Sequence, residues 1–291
     1  MDYLSSPLKK KVLVAMSGGV DSSVAAVLLK EAGYTVTGVT MCLGIRQDDD
    51  RASCCSGDAI EDAKRVCGQL EIPHFVFDFA QLMEELVISK FTAEYVKGRT
   101  PNPCVDCNRY LKFGSLLEKA RHLGFDYLAT GHYARIKHAG NSWHLLRPAD
   151  KNKDQTYFLY PIKKDDLSQV LFPLGNLSKS DVRAQAKKSG LSVAQKVESQ
   201  DICFVTQGNY RQFFEERNLS VAAGNIVDQD GKVLGRHQGI IYYTIGQRSG
   251  LGISAKTPLH VLRFDTRTNS VVVGNKEDLF ASGLIAGDLN L

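Results

Sequence analysis

Cys104-Val105-Asp106-Cys107 sets two thiols three positions apart, and Cys203 stands far downstream in Ser199-Gln200-Asp201-Ile202-Cys203-Phe204. At the mouth of a helix the dipole, together with Arg109, favours thiolate at such a C-x-x-C. A thiol of that kind is a nucleophile or a metal ligand. A structural zinc site wants four ligands as a rule, and no second C-x-x-C is present. Three cysteines with one open position suit an iron–sulfur cluster with a free iron. Two incidental buried thiols are the plainest alternative.

A second constellation lies near the N-terminus. The run Val12-Leu13-Val14-Ala15-Met16 reads as a buried strand, breaks at Ser17-Gly18-Gly19-Val20-Asp21-Ser22-Ser23, and continues as an apolar helical pattern. Adjacent glycines let the backbone bend and approach a ligand closely. The first helical N–H groups have no partners within the helix and favour an anion. With hydroxyls from Ser17, Ser22 and Ser23, the stretch reads as a phosphate cradle. It is not a Walker loop, because no lysine follows the glycines. Thr130-Gly131-His132-Tyr133 follows a later strand and is a candidate for the same pocket; His132 alone reads equally well as a structural histidine.

The elements that must position these groups alternate. Strands are expected at 35–40, 74–79 and 127–130, helices at 58–69, 82–97 and 111–122, and a loop with two prolines at 99–109. Such alternation argues for a parallel, doubly wound α/β sheet, in which ligands bind beyond the carboxyl ends of the strands. From Ala134 a hairpin turning at Gly140-Asn141 is expected. Ser178-Lys179-Ser180-Asp181 resembles a helix start ahead of 182–189, and a short helix covers 210–217. The texture then becomes β, at 224–227, 240–245 and 261–273. The expected division is 1–207 for a nucleotide-binding catalytic domain, 208–276 for a central β-rich domain, and 277–291 for the beginning of a further β-barrel.

Length and composition are compatible with this plan. The 291 residues are 43% hydrophobic and 23% charged, ordinary for a globular chain, and the net charge of +4 permits a nucleic-acid partner without requiring one. No apolar run reaches the 18 residues of a membrane span, and no secretory segment precedes the first strand, so a cytoplasmic location is expected. The seven cysteines are an odd number and do not suggest a disulfide framework. Cys67 reads as core; Cys42, Cys54 and Cys55 carry no clear chemistry.

The loop Ser17–Ser22 resembles that of the PP-loop ATP pyrophosphatases, which cut between the α- and β-phosphates and use AMP to activate a carbonyl oxygen. Across nearly the whole chain, further stretches resemble the bacterial tRNA-specific 2-thiouridylases (tRNA-uridine 2-sulfurtransferases). They include Gly98-Arg99-Thr100-Pro101-Asn102-Pro103-Cys104, Cys107-Asn108-Arg109 with Lys112-Phe113-Gly114, Lys153-Asp154-Gln155, Phe172-Pro173-Leu174-Gly175, the Cys203 segment and Tyr243-Thr244-Ile245-Gly246-Gln247-Arg248. The resemblance implies a PP-loop α/β domain followed by small β domains. It implies thiolation at C2 of the wobble uridine of tRNAs for Lys, Glu and Gln, with ATP and Mg²⁺. The sulfur would come from a persulfide-donating carrier or cysteine desulfurase, and no membrane is involved. By the same resemblance Cys203 carries the persulfide and Cys107 is the nucleophile. Ala15, Met16, Ser17, Gly18, Gly19, Val20, Asp21, Ser22, Met41 and Gly131 match positions at ATP. Asn102, Pro103, Cys104, His132, Lys153, Asp154 and Gln155 match positions at the target base and tRNA. Asp21 is our own candidate for a Mg²⁺-linked residue.

Two departures from the family pattern matter. Many members carry Asp where this chain has Cys104, which questions an acid–base role there and admits a [4Fe–4S] cluster on Cys104, Cys107 and Cys203. The chain also ends at Leu291, where members usually continue as a tRNA-gripping barrel, so weak tRNA affinity is expected. Two other readings explain less: a small-molecule ATP pyrophosphatase leaves Cys107 and Cys203 idle, and a non-catalytic RNA-binding module leaves the nucleotide loop idle.

Overall fold

Val12, Leu13 and Val14 are wholly buried because strand β1 (Lys11–Ala15) is paired on both sides and covered on both faces. Burial of each such side chain contributes about 1.5–3 kcal/mol. The structure is a computed structural model that describes residues 10–45, 57–198, 202–205, 209–219, 221–287 and 289–290. Cys54 and Cys55, the acidic loop before them and residues 199–201 therefore lie outside the described residues.

The chain divides into two compact units. In chain order the first contains β1, α1 (Val20–Glu31), β2 (Thr35–Cys42), α2 (Gly57–Gln69), β3 (His74–Asp78) and α3 (Ala80–Met83). A π-helical turn, Glu84–Ile88, leads to α4 (Ser89–Val96), which belongs to the second unit. The helix that follows starts as α5 (Pro103–Asp106), winds as a π-helix over Cys107–Leu116 and ends as α6 (Leu117–His122). Next come β4 (Tyr127–Ala129), the hairpin β5 (Arg135–Ala139) and β6 (Ser142–Leu146), α7 (Thr156–Leu159), β7 (Val170–Leu171) and α8 (Lys179–Lys188). The sheet order is β3-β2-β1-β4-β7, with every pair parallel. The expected doubly wound α/β class is thus found, and the strand order reverses at β1.

Two expectations fail locally. The prolines do not keep 99–109 as a loop, because Pro103 sits at the first helical position, where its missing N–H costs nothing. The expected strand at 240–245 is instead a 3₁₀ turn, Ile240–Tyr242. Gly239 enters it at φ 150°, where a Cβ would come within 2.3 Å of the Val221 side chain. Ile240 and Ile241 are both buried, which an alternating strand does not allow.

The second unit comprises 87–103 with 205–289. It holds α4, α9 (Tyr210–Glu216), β8 (Gly224–Val227), β9 (Val233–His237), β10 (His260–Asp265) and β11 (Ser270–Gly274) in a sheet ordered β10-β11-β8-β9. Its helices meet through aromatics: Phe91 stacks on Phe214 at 6.1 Å, and Tyr95 lies 5.2 Å from the same ring.

Candidate active site

The turn after β1 is built as the sequence suggests, with one change in its hydroxyls. Gly18 has φ +68°, and a Cβ there would sit 2.3 Å from the Ala59 carbonyl oxygen, so only glycine fits. Gly19 is the extended N-cap of α1. Its carbonyl accepts the Ser23 hydroxyl at 2.8 Å and the Ser22 hydroxyl at 3.2 Å. Ser23 is wholly buried and spent on the backbone, so it does not face a ligand as expected. The Ser17 amide donates to Ser22 Oγ at 3.2 Å and the two hydroxyls also pair at 3.2 Å, with Ser17 the exposed residue of the two. Val20 is buried and holds the first turn of α1 in the core.

Other predicted nucleotide residues gather at the same sheet edge. Met16 is pinned by its N–H to the Val39 carbonyl at 2.8 Å, and its own carbonyl accepts the Thr40 hydroxyl at 3.0 Å. Met41 lies two positions past Val39, the last β2 residue paired with β1. Gly131, just after β4, abuts α1 so closely that a Cβ would be 2.6 Å from the Ser22 nitrogen. The sheet thus brings Ala15–Ser22, Met41 and Gly131 to one end.

Asp21 does not stand free for a cation. Lys179 Nζ, from the first turn of α8, donates to its two carboxylate oxygens at 2.7 and 2.8 Å. The Tyr133 hydroxyl donates to Oδ1 at 2.9 Å. Lys179 also reaches Glu198 Oε1 at 2.7 Å, and Lys153 reaches Glu198 Oε2 at 2.8 Å. Partial burial works against the charge on Glu198, but these two ammonium groups outweigh it and hold the carboxyl down at about 2. Lys196 approaches from the same region, donating to the Gly18 carbonyl at 3.1 Å and to Asp62 at 2.6 Å. Lys179, Lys196 and Glu198 carry no local sequence signal; only the S-x-x-D start just before Lys179 hints at the element that presents it.

Lys153-Asp154-Gln155 is engaged inside the protein. Asp154 Oδ1 accepts the Thr156 amide at 2.9 Å and its hydroxyl at 2.6 Å, which starts α7. Gln155 Oε1 accepts the Tyr133 amide at 2.8 Å. His132 lies between Phe113 and Phe172, at 6.0 and 6.1 Å, with Nδ1 against the Thr130 hydroxyl at 2.7 Å. Desolvation first, and then the Lys112 charge, hold it well below the usual imidazole range, so the ring is neutral near pH 7.

The three thiols share one electrostatic neighbourhood. Cys107 is buried, whereas Cys104 and Cys203 keep solvent-accessible surface. Crowding by surrounding protein, and next Cys107, push the Cys203 thiol up to about 12; Cys104 adds to the rise and Lys112 opposes it. Cys104 is raised for the same first reason, with Lys112 again opposing. Beside Cys107, Asn108 is buried and donates to the Phe158 carbonyl at 2.9 Å, while its Oδ1 has no partner. The stretch Cys107–Leu116 winds i→i+5 and carries Lys112, whose charge acts on the Cys104 and Cys203 thiols. Asn102 and Pro103 fall in the second unit and Cys104 begins the next stretch of the first. Among the described residues no group of three or more His, Cys, Asp or Glu is arranged to hold a metal ion.

Comparison with known proteins agrees with this geometry. The family model described as "tRNA methyl transferase HUP domain" matches residues 10–207, and "tRNA methyl transferase PRC-barrel domain" matches 211–275. The chain is 58% identical over 283 residues to "tRNA-specific 2-thiouridylase MnmA 1" of Syntrophus aciditrophicus, covering 97% of this chain and 76% of the relative. It belongs to the tRNA-specific 2-thiouridylase family. Thiouridylases of Carboxydothermus hydrogenoformans and Clostridium botulinum are 51% and 50% identical, each over 97% of this chain and 79% of the relative. No helix among the described residues is long and apolar enough to cross a membrane.

Proposed function

We propose that the protein is an ATP-dependent tRNA-uridine 2-sulfurtransferase acting on the wobble uridine. Mg²⁺ enters with ATP as part of the substrate, and the loop Ala15–Ser22 with Met41 and Gly131 receives the nucleotide. The observation that most supports the reading is that Cys203, remote in sequence, feels the charge of both Cys107 and Cys104. Two idle thiols need not share an electrostatic neighbourhood; a sulfur relay requires it.

The chemistry follows from the poor leaving ability of a uracil oxygen. O2 attacks the α-phosphorus as the ring loses its N3 proton, and pyrophosphate departs. The terminal sulfur of a Cys203 persulfide attacks C2, and AMP leaves with the former O2. The Cys107 thiolate then attacks Cys203 Sγ, breaking its bond to the transferred sulfur. The products are 2-thiouridine and a Cys107–Cys203 disulfide, which a thiol reductant returns to two thiols. Lys112 opposes the burial that disfavours an anionic sulfur on Cys203, and neutral His132 offers the base a hydrogen-bonding edge rather than a charge. An anticodon uridine already sits in a loop, so turning it into such a pocket costs little. The sulfur carrier is a persulfide donor, and the tRNAs are those the resemblance implies, for Lys, Glu and Gln.

Cys107→Ser and Cys203→Ser test the scheme with unmodified tRNA and a persulfide donor. Both should release pyrophosphate from ATP and form no 2-thiouridine by nucleoside mass spectrometry. Wild-type thiolation by Cys203→Ser would refute it, and turnover of ATP on a small molecule without tRNA would favour a different pyrophosphatase.

A further inference from the structure

Lys179 is a costly residue where it stands. It occupies the first turn of α8, where the helix dipole disfavours a cation, and its side chain is only 15% exposed. Its backbone is nonetheless fixed twice. Ser178 and Asp181 form a reciprocal capping box at the start of α8, and the Lys179 amide donates to Asp150 Oδ2 at 3.0 Å. Val182 and Ala186 of the same helix are buried in the core that α1 shares. The ammonium therefore has little freedom, and its three short contacts go to two carboxylates from distant parts of the chain.

Those carboxylates belong to different tasks. Asp21 is in the nucleotide turn, and Glu198 stands five positions before Cys203. The far oxygen of Glu198 holds Lys153, the first residue of Lys153-Asp154-Gln155. All four side chains are in the first compact unit and are 15–29% exposed, so solvent screens them less than an open surface pair. Lone ion pairs contribute little to stability, and a chain of four shielded charges at such a place calls for another explanation.

Resting on the sulfur-transfer reading above, we propose that the chain Asp21–Lys179–Glu198–Lys153 ties Glu198, the last described residue ahead of the Cys203 stretch, to the nucleotide turn, with Lys179 and Glu198 as positioning residues for the sulfur step. Glu198 touches no part of the nucleotide turn itself. Its loss should therefore spare adenylation and impair delivery of sulfur. Lys179, which touches both sides, is the joint.

The test uses the full chain with Glu198→Ala, Glu198→Gln and Glu198→Asp. One assay reads the burst of pyrophosphate from ATP and unmodified tRNA without a sulfur donor. A second reads 2-thiouridine formed by the persulfidated enzyme. A third, independent of tRNA and ATP, reads the equilibrium of protein dithiol and glutathione disulfide with the Cys107–Cys203 disulfide and two glutathione thiols. For Glu198→Ala the burst should stay within about twofold while thiolation and the disulfide equilibrium constant each fall on the order of 10- to 100-fold, the scale of a misplaced reacting group. Glu198→Asp should recover part of both. If the alanine variant fails to fold, the isosteric Glu198→Gln carries the test. Equal loss of burst and thiolation would mean a merely structural role, and unchanged thiolation and disulfide equilibrium would mean none; either overturns the proposal. A wild-type protein without a burst would instead refute the sulfurtransferase reading.

Discussion

A single methyl group at Gly131 separates a packing role from a nucleotide-site role, because its surroundings are rigid. The added Cβ would lie 2.6 Å from the Ser22 nitrogen, 2.8 Å from the Asp21 carbonyl carbon and 3.0 Å from Ser22 Cα. All three are backbone atoms in the first turn of α1, so no side chain can rotate away. Restoring ordinary contact near 3.5 Å requires the helix start to retreat by roughly 1 Å. Overpacking of this kind costs about 1–3 kcal/mol. In a unit of this size that lowers Tm by about 2–12 °C. The same displacement moves the amides that the proposed function assigns to a phosphate, so on that reading affinity for a non-hydrolysable ATP analogue should weaken by about 5- to 150-fold. Calorimetric titration and a thermal melt measure both quantities. Gly68→Ala is the contrast: a Cβ there meets nothing within 4 Å, and the helix α2 should gain about 0.5–1 kcal/mol with no change in nucleotide affinity. If Gly131→Ala melted with the wild type and bound the analogue equally well, the close approach of β4 and α1 would have no bearing on the site.

Further expectations concern charge, thiol and winding. Glu198, held at about 2 in the folded chain against an ordinary 4.5, adds stability that is complete above pH 4.5 and fades as pH falls toward 2. The Tm difference between wild type and Glu198→Ala should therefore shrink on acidification below pH 4.5, and a constant difference would contradict the ion-pair account. With Cys203 pushed up to about 12, alkylation of this thiol by iodoacetamide at pH 8 should be slower than for an unperturbed cysteine, as followed by peptide mass spectrometry. Gly114→Ala places a Cβ 2.8 Å from the Arg109 carbonyl oxygen and should cost about 1–3 kcal/mol, read as a lower Tm. Tyr133→Phe removes the 2.9 Å hydrogen bond to Asp21 and should cost about 0.5–1.5 kcal/mol in denaturant unfolding.

Features with a local cause were legible in the sequence. The unbroken apolar run of β1, the Gly18-Gly19 turn, the Gly140-Asn141 hairpin and the Ser178–Asp181 cap each follow from a few adjacent residues, and each is present. What escaped has a remote or competing cause. Pro103 reads as a breaker until it falls on the first helical position, and two consecutive isoleucines read as strand although Gly239 turns the chain. β7 is two residues long and exists only because β4 offers an edge. Ser23 reads as a phosphate donor by proximity alone, whereas its hydroxyl closes on Gly19. The Lys179 contacts span 158 positions to Asp21 and 19 to Glu198, and ion pairing at such range leaves no periodic trace.

The ten residues from Cys107 to Leu116 wound i→i+5 hold one residue more per hydrogen-bonded loop than an α-helix would. Shortening this stretch by one residue would let it relax into ordinary winding and turn Lys112 around the axis relative to Cys104 and Cys203, on whose thiols its charge acts. The register here is thus a matter of counting as much as of residue type: a chain could keep every cysteine and lysine and lose their relative placement to a single-codon deletion.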